Sequence, residues 1–396
     1  MMTTLNSVFR SVPALRHLTV AALLLAATVA APQPAAAMDT VAREAILIDS
    51  QTGAVLFEKN ADALMPPASM SKLMTVYMVF ERLKEGSLSL DEEFVVSENA
   101  WRKGNWASGG STMFLEPRQR VRVEDLLQGI IVQSGNDACV VVAEALAGSE
   151  DAFAEMMTEK GREIGLKNST FRNASGWPHP EHRMTARDLA TLAKRTITEF
   201  PEFYHFYSER QFTYNGHKQH NRNELLGKGI GVDGLKTGHT ENAGYGLTAS
   251  AERLGRRLIL VVNGLPNKRA RREEPQRLLE WGFREFKNYA LFKAGEEVAK
   301  ADIWLGTKAQ VPLIVTDEMV LTLPRKERAG MKVTVDYQTP VPAPVKAGDK
   351  LGTLTLTFPE REAIQVPLVA GDEAARLGLF GRVMSALRSI ILGVSG

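Results

Sequence analysis

Three short groups of residues carry the chemistry open to this chain. Ser69-Met70-Ser71-Lys72 sets a hydroxyl and an amine three residues apart. On a helix such a pair comes within reach, so a neutral amine can take the hydroxyl proton and leave a nucleophile. The helix start adds unpaired backbone N–H groups and a positive dipole end beside the hydroxyl. Ser134-Gly135-Asn136 offers a second hydroxyl, suited to proton relay, and an amide able to hold a peptide carbonyl. Lys236-Thr237-Gly238-His239 offers a cation, a hydroxyl, and a glycine that leaves a strand edge open to substrate. A serine acyl-transfer site needs these parts: nucleophile, proton acceptor, path to the leaving amine, carboxylate clamp and oxyanion donors.

The signals differ in weight. Ser-x-x-Lys is expected about once by chance in a chain this long, and alone it reads more readily as an ordinary helix start with a solvated lysine. Ser-Gly-Asn and Lys-Thr-Gly each occur once, where fewer than about 0.1 are expected.

The elements that must position these groups follow from periodicity. Pro66 and Pro67 hold the approach extended, and Leu73, Val76, Tyr77, Phe80 and Leu83 then recur at helical spacing until Gly86. A hairpin of strands at 45–49 and 54–58, turning at Ser50-Gln51-Thr52-Gly53, delivers the chain to that helix. Helices expected at 123–131, 138–146 and 151–164 place Ser134-Gly135-Asn136 in a helix-to-helix loop. Strands expected at 211–214, from Gly234, at 245–251 and at 257–263, then a helix at 271–286, give a second group of strands around the helical insert. From about Leu291 short β-rich runs punctuated by Pro and Gly take over.

Composition excludes some functions. The 396 residues are 44% hydrophobic and 24% charged, a globular composition with room for two or three domains. The formal charge is +2, which Arg10 and Arg16 account for, and no basic run points to nucleic acid. Cys139 is the one cysteine, so no intramolecular disulfide forms, and its apolar context reads as a buried, inert thiol.

Both ends suggest membranes. Residues 1–37 carry Arg10 and Arg16, an apolar run from Leu18 to Ala31, and Ala35-Ala36-Ala37, the parts of a secretory signal cut after Ala37. An uncleaved anchor is the alternative. At the other end Leu379, Phe380, Val383, Met384, Leu387 and Ile391 lie within an apolar arc, with Arg382 and Arg388 opposite. Those arginines suit a helix lying in the membrane surface rather than spanning it. A helix packed on its own domain is the alternative.

Ser-x-x-Lys, Ser-Gly-Asn and Lys-Thr-Gly, in this order, resemble the motif set of penicillin-binding proteins and class A β-lactamases. With the signal, the β-rich region and the amphipathic tail, the chain resembles a low-molecular-mass penicillin-binding protein, a serine D-alanyl-D-alanine carboxypeptidase. The resemblance spans the mature chain and is most specific over residues 43–290. It implies a penicillin-binding/β-lactamase-like transpeptidase fold of the α/β (α+β) class, an antiparallel sheet flanked by helices with an all-helical insert. A small all-β domain and a C-terminal amphipathic helix follow. The expected boundaries are 1–37 for the signal, 38–290 for the catalytic domain, 291–372 for the β-rich domain and 373–396 for the membrane-surface helix.

The same resemblance implies roles. Ser69 forms the acyl-enzyme with the penultimate D-alanine of a peptidoglycan stem peptide, Lys72 accepts its proton, and Ser134 passes a proton toward the leaving amine. Asn136 and Gly238 meet the substrate backbone, Lys236 and Thr237 hold its terminal carboxylate, and the N–H groups of Ser69 and His239 form the oxyanion hole. It implies no cofactor and no metal, β-lactams as acylating inhibitors, and a periplasmic enzyme attached peripherally to the outer face of the inner membrane. Class A β-lactamases add a Glu-x-x-Leu-Asn pattern for deacylation. The one Leu-Asn here is Leu5-Asn6, so slow β-lactam turnover is expected.

Two other readings remain: an endopeptidase acting on cross-links with the same chemistry, and a silent wall-binding protein. Ser69, Lys72 and Lys236 are all present, which favours an enzyme. His179 with His182, and His217 with His220, have a spacing seen in metal sites but lack a third ligand in context, so they read as loop or rim histidines. The run Lys268-Arg269-Ala270-Arg271-Arg272 reads as a solvated or ion-paired helix start, from which one arginine can attract an anionic substrate end.

Overall fold

The structure, a computed structural model, describes residues 38–104, 109–359 and 361–384. The expected signal and its cut after Ala37 lie outside the described residues, as does the tail helix beyond Met384. The framework is an antiparallel sheet of five strands in the order Val55–Lys59, Glu44–Asp49, Arg256–Leu265, Gly244–Arg253, Val232–Thr240. The expected hairpin forms one edge and the Lys-Thr-Gly strand the other. Strand alternation makes both faces apolar. Ile46, Ile48, Ile259 and Val261 share a core with Leu189 and Leu192 of the helix Ala186–Glu199. On the other face Leu47 and Leu258 meet the helix Lys268–Glu285 at Gly282, where a Cβ would fall 2.7 Å from Leu47 and 2.9 Å from Leu258.

The helical layer is built around Lys72–Glu85, whose residues 72–80 are all buried. A helix apolar nearly all round belongs inside a core. Burial of Leu73, Tyr77 and Phe80 stabilises by about 1.5–3 kcal/mol each. The helix stops at Gly86, left-handed at φ 73°, whose N–H returns to the Arg82 and Leu83 carbonyls. The sequence reading placed Ser69 in the first turn of this helix; the structure puts it in a separate 3-10 turn, Ala68–Ser71. In that tighter turn side chains at i and i+3 eclipse, so Ser69 and Lys72 stand one above the other. The helix expected at 123–131 is likewise divided, into Val123–Gln128 and a π-helical turn Gly129–Gln133 that ends on Ser134.

Beyond Glu285 the chain is β-rich. Phe286–Phe292 pairs with Met319–Pro324, and six further strands form a second sheet over a core that includes Val311, Leu313, Leu354, Leu356 and Leu368. The two parts meet at Asp49, whose fully buried carboxylate accepts from Arg256 Nε at 2.9 Å and Asn288 Nδ2 at 3.2 Å. Late in the chain Ala374 bridges to Val345 and Arg376 to Gly306. Residues 379–384 are helical, with Leu379 and Phe380 exposed. Among the described residues no helix is long and apolar enough to cross a membrane.

Candidate active site

Ser69 and Lys72 meet as their spacing requires, with Lys72 Nζ 2.9 Å from Ser69 Oγ. The amine has two more neighbours, Asn136 Oδ1 at 2.7 Å and the Ser175 carbonyl at 2.5 Å. Both are pure acceptors. A neutral amine satisfies this set fully, with two N–H groups donating to Asn136 and Ser175 and the lone pair left for the Ser69 hydroxyl. Burial pushes the Lys72 pKa down to about 8, and the Arg222 guanidinium adds repulsion. Thr75, one turn on, donates to the Ala174 carbonyl at 2.6 Å, so the helix grips the 174–175 backbone twice.

Ser134 ends the π-helical turn at φ 62°, a left-handed conformation unusual for serine and one that a constrained site sustains. Its Oγ lies 2.9 Å from Lys236 Nζ. Asn136 opens the helix Asn136–Ala147, and its N–H donates to the Ser111 carbonyl at 2.8 Å. The next residue, Asp137, is buried and accepts from Thr112 Oγ1 and from the N–H groups of Met113 and Leu115. Helix and loop are thereby locked together around the cavity.

Lys236, Thr237 and Gly238 lie on the edge strand, paired on its inner side with Gly244–Arg253. Lys236 is fully buried; burial first, then the charges of Lys72 and Arg222, hold its pKa well below the ordinary lysine value. Burial governs both amines, and the repulsion between them falls on Lys236. Gly238 faces the serine turn, since a Cβ there would sit 2.8 Å from the Pro67 carbonyl and 3.1 Å from Met70. Close backbone approach, as well as an open edge, explains the glycine. His239 is exposed and stacks on Tyr245 at 3.9 Å.

These segments enclose a cavity of about 380 Å3 lined by Ser69, Ser134, Asn136, Thr237, Gly238 and His239. Every residue singled out from the sequence reaches it except Lys72 and Lys236, which lie directly behind Ser69 and Ser134. The structure adds Arg222, Arg271 and Trp177 to its walls. Arg222 Nη1 donates to Ser111 Oγ at 2.5 Å, and Arg271 lies over the Tyr245 ring at 5.4 Å. Arg271 belongs to the basic run already noted, whereas Arg222 and Trp177 stand in loops with no spacing to mark them. Among the described residues no group of three or more His, Cys, Asp or Glu is placed to hold a metal. His182 is buried, with its pKa pushed down to about 3 chiefly by burial, and His217 stacks on Phe114. Cys139 is fully buried and its pKa is pushed up to about 12.

Known proteins match this arrangement in sequence and in shape. Residues 28–267 match the model of the family described as D-alanyl-D-alanine carboxypeptidase, and residues 286–376 that of the penicillin-binding protein 5 C-terminal domain. The D-alanyl-D-alanine carboxypeptidase DacC of Escherichia coli is 40% identical over 357 residues, 89% of each chain. The crystal structure of penicillin-binding protein 5 from Haemophilus influenzae superposes with a TM-score of 0.77 at 35% identity, covering 87% of this chain and all of that one. A penicillin-binding protein of Listeria monocytogenes in its ampicillin-bound form gives a TM-score of 0.54 at 31% identity, over 63% of this chain and 100% of its own.

Proposed function

The chain belongs to the D-alanyl-D-alanine carboxypeptidase family, with the fold of the penicillin-binding proteins, and from that premise we propose how it removes the terminal D-alanine of peptidoglycan stem peptides. The observation that carries the proposal is the buried Lys72 amine, 2.9 Å from Ser69 Oγ, donating to Asn136 and Ser175 and with its pKa lowered to about 8. Ser69 Oγ attacks the carbonyl carbon of the penultimate D-alanine as its proton passes to Lys72 Nζ. The oxyanion that forms is met by the backbone N–H groups of Ser69 and His239. The tetrahedral adduct collapses when a proton, carried through Ser134, reaches the departing amine. Terminal D-alanine leaves, and water hydrolyses the Ser69 ester.

Thr237 and Lys236 receive the terminal carboxylate. A carboxylate beside Lys236 offsets its buried charge and draws a proton onto it, so the clamp charges when substrate binds. Arg222 and Arg271, which line the same cavity, add a positive field. Asn136 and the Gly238 edge align the peptide. β-Lactams acylate Ser69 by the same steps, the ring carbonyl and carboxylate standing in for the D-alanyl-D-alanine end. The rest of the reading is a catalytic domain over 38–290 and a β-rich domain over 291–372 that spaces it from the surface. An exported chain loses residues 1–37, works in the periplasm and rests on the membrane through its C-terminal helix. The experiment is D-alanine release from a pentapeptide and from a cross-linked dimer side by side. Preference for the pentapeptide supports the carboxypeptidase; preference for the dimer reassigns the enzyme as an endopeptidase.

A further inference from the structure

The active-site cavity does not end at His239. A second groove of about 590 Å3 shares Gly176, Trp177, Pro178 and Thr240 with it and continues past Ala68 to Leu64, Arg43 and Arg183. The edge strand runs from one to the other: Thr237 lines the first cavity, Thr240 both, and Asn242 the second. Thr237 to Thr240 is about 10 Å at strand spacing. A peptide lying along this edge with its terminal carboxylate at Thr237 therefore brings its fourth residue from the C-terminus to the mouth of the second groove.

The walls there suit a particular residue. Trp177 is 46% exposed and Leu64 62% exposed, and both line the groove together with Pro66, Pro67, Pro178 and Pro180. Asn173 fixes the Trp177 backbone from both sides, donating to its carbonyl at 2.9 Å and accepting from its N–H at 3.0 Å. The charge is positive. Arg183 Nε donates to the Pro180 carbonyl at 2.8 Å, which anchors the guanidinium, and no described carboxylate forms an ion pair with it. Arg43 Nη2 donates to the Asn242 and Ala243 carbonyls. Among the described lining residues the one acid is Glu44, which accepts from Asn263 and lies 4.0 Å from Arg43 Nε. An apolar shelf beside an anchored, unpaired guanidinium is a receptor for an acidic side chain.

We infer that this groove is an upstream subsite, in which the fourth residue from the substrate's C-terminus packs against Trp177 and places a carboxylate on Arg183. The inference rests on the carboxypeptidase reading, which fixes where the terminal carboxylate lies. It assigns Arg183 a part in specificity and none in the chemical step, so it acts on KM rather than kcat.

The test compares two tetrapeptides, acetyl-Glu-Lys-D-Ala-D-Ala and acetyl-Gln-Lys-D-Ala-D-Ala, by D-alanine release with the full chain. The readout is the ratio of their kcat/KM values within each protein, which cancels any general loss of active enzyme. The intact protein prefers glutamate by about two- to fivefold, the strength of a partly exposed ion pair. Arg183→Gln brings the ratio to about one, and Arg183→Lys retains part of it. A ratio near one in the intact protein, or an unchanged ratio in Arg183→Gln, overturns the inference while leaving the carboxypeptidase standing. Failure of both peptides to release D-alanine overturns the reading beneath it as well.

Discussion

Lys236 Nζ stands 2.9 Å from Ser134 Oγ, the same spacing that separates Lys72 from Ser69. One cavity thus has two amine–hydroxyl pairs in its wall, the hydroxyls lining it and the amines behind them, and burial lowers the pKa of both amines. Their surroundings divide the work. Lys72 is ringed by acceptors that use both N–H groups of the neutral form, whereas Lys236 donates to Ser134, whose φ is 62°, and adjoins Thr237, proposed above to receive the substrate carboxylate.

The first consequence is a pH profile. Lys72 titrates near 8 instead of 10.5; below that value it is protonated and has no lone pair for the Ser69 proton. The neutral fraction rises with pH, so acylation by a β-lactam, whose carboxylate does not titrate nearby, increases about tenfold per unit up to roughly pH 8 and then levels. Stopped-flow acylation rates across that range give the test. A flat profile removes Lys72 as the acceptor.

Ser134 is the proposed proton relay, its Oγ 2.9 Å from Lys236 Nζ. Ser134→Ala lowers kcat for D-alanine release by about 100-fold or more, the usual size of a lost proton-transfer group. Circular dichroism and thermal melts close to those of the parent separate this from misfolding. Unchanged turnover contradicts the relay.

Gly176 joins the 174–175 backbone to the serine turn. A Cβ there would lie 2.0 Å from the Ala68 carbonyl and 2.6 Å from Ser71 Oγ, at a φ of +76°. Gly176→Ala therefore displaces the turn that holds Ser69 and lowers stability by about 2–4 kcal/mol. Both a denaturant midpoint and a penicillin-acylation rate detect it, and an alanine variant equal to the parent in both refutes the packing described.

Membrane attachment is tested by cutting the chain after Gly378, not at Glu373. Ala374 is buried and bridges to Val345, and Leu377 N–H donates to the Leu305 carbonyl. The shorter deletion leaves those ties in place and removes the exposed Leu379 and Phe380 with all that follows. The truncated enzyme stays active and no longer sediments with vesicles containing anionic lipid. Undiminished sedimentation assigns the attachment elsewhere.

Legibility from sequence followed the kind of signal each feature leaves. The motif residues were readable because acyl transfer needs particular functional groups in a fixed order, and the sheet strands because short continuous apolar runs such as 45–48 and 258–262 mark strands covered on both faces. The 3-10 turn under Ser69 left no distinct trace, since helical periodicity starts only at Leu73. The Ser175 carbonyl at Lys72 is a backbone atom, which no residue type announces. Arg222 reaches the cavity from a loop far along the chain, so only tertiary packing identifies it. The reason for Gly238 was half readable: the open edge followed from the residue type, but its approach to Pro67 needed the fold.

Acyl transfer through Ser69 requires a covalent acyl-enzyme on its Oγ. Intact-protein mass spectrometry after treatment with benzylpenicillin, followed by peptide mapping, addresses it directly. One adduct per chain is expected, of the mass of the whole drug, on the peptide containing Ser69, and none in Ser69→Ala. An adduct that persists in Ser69→Ala, or maps to another residue, contradicts it.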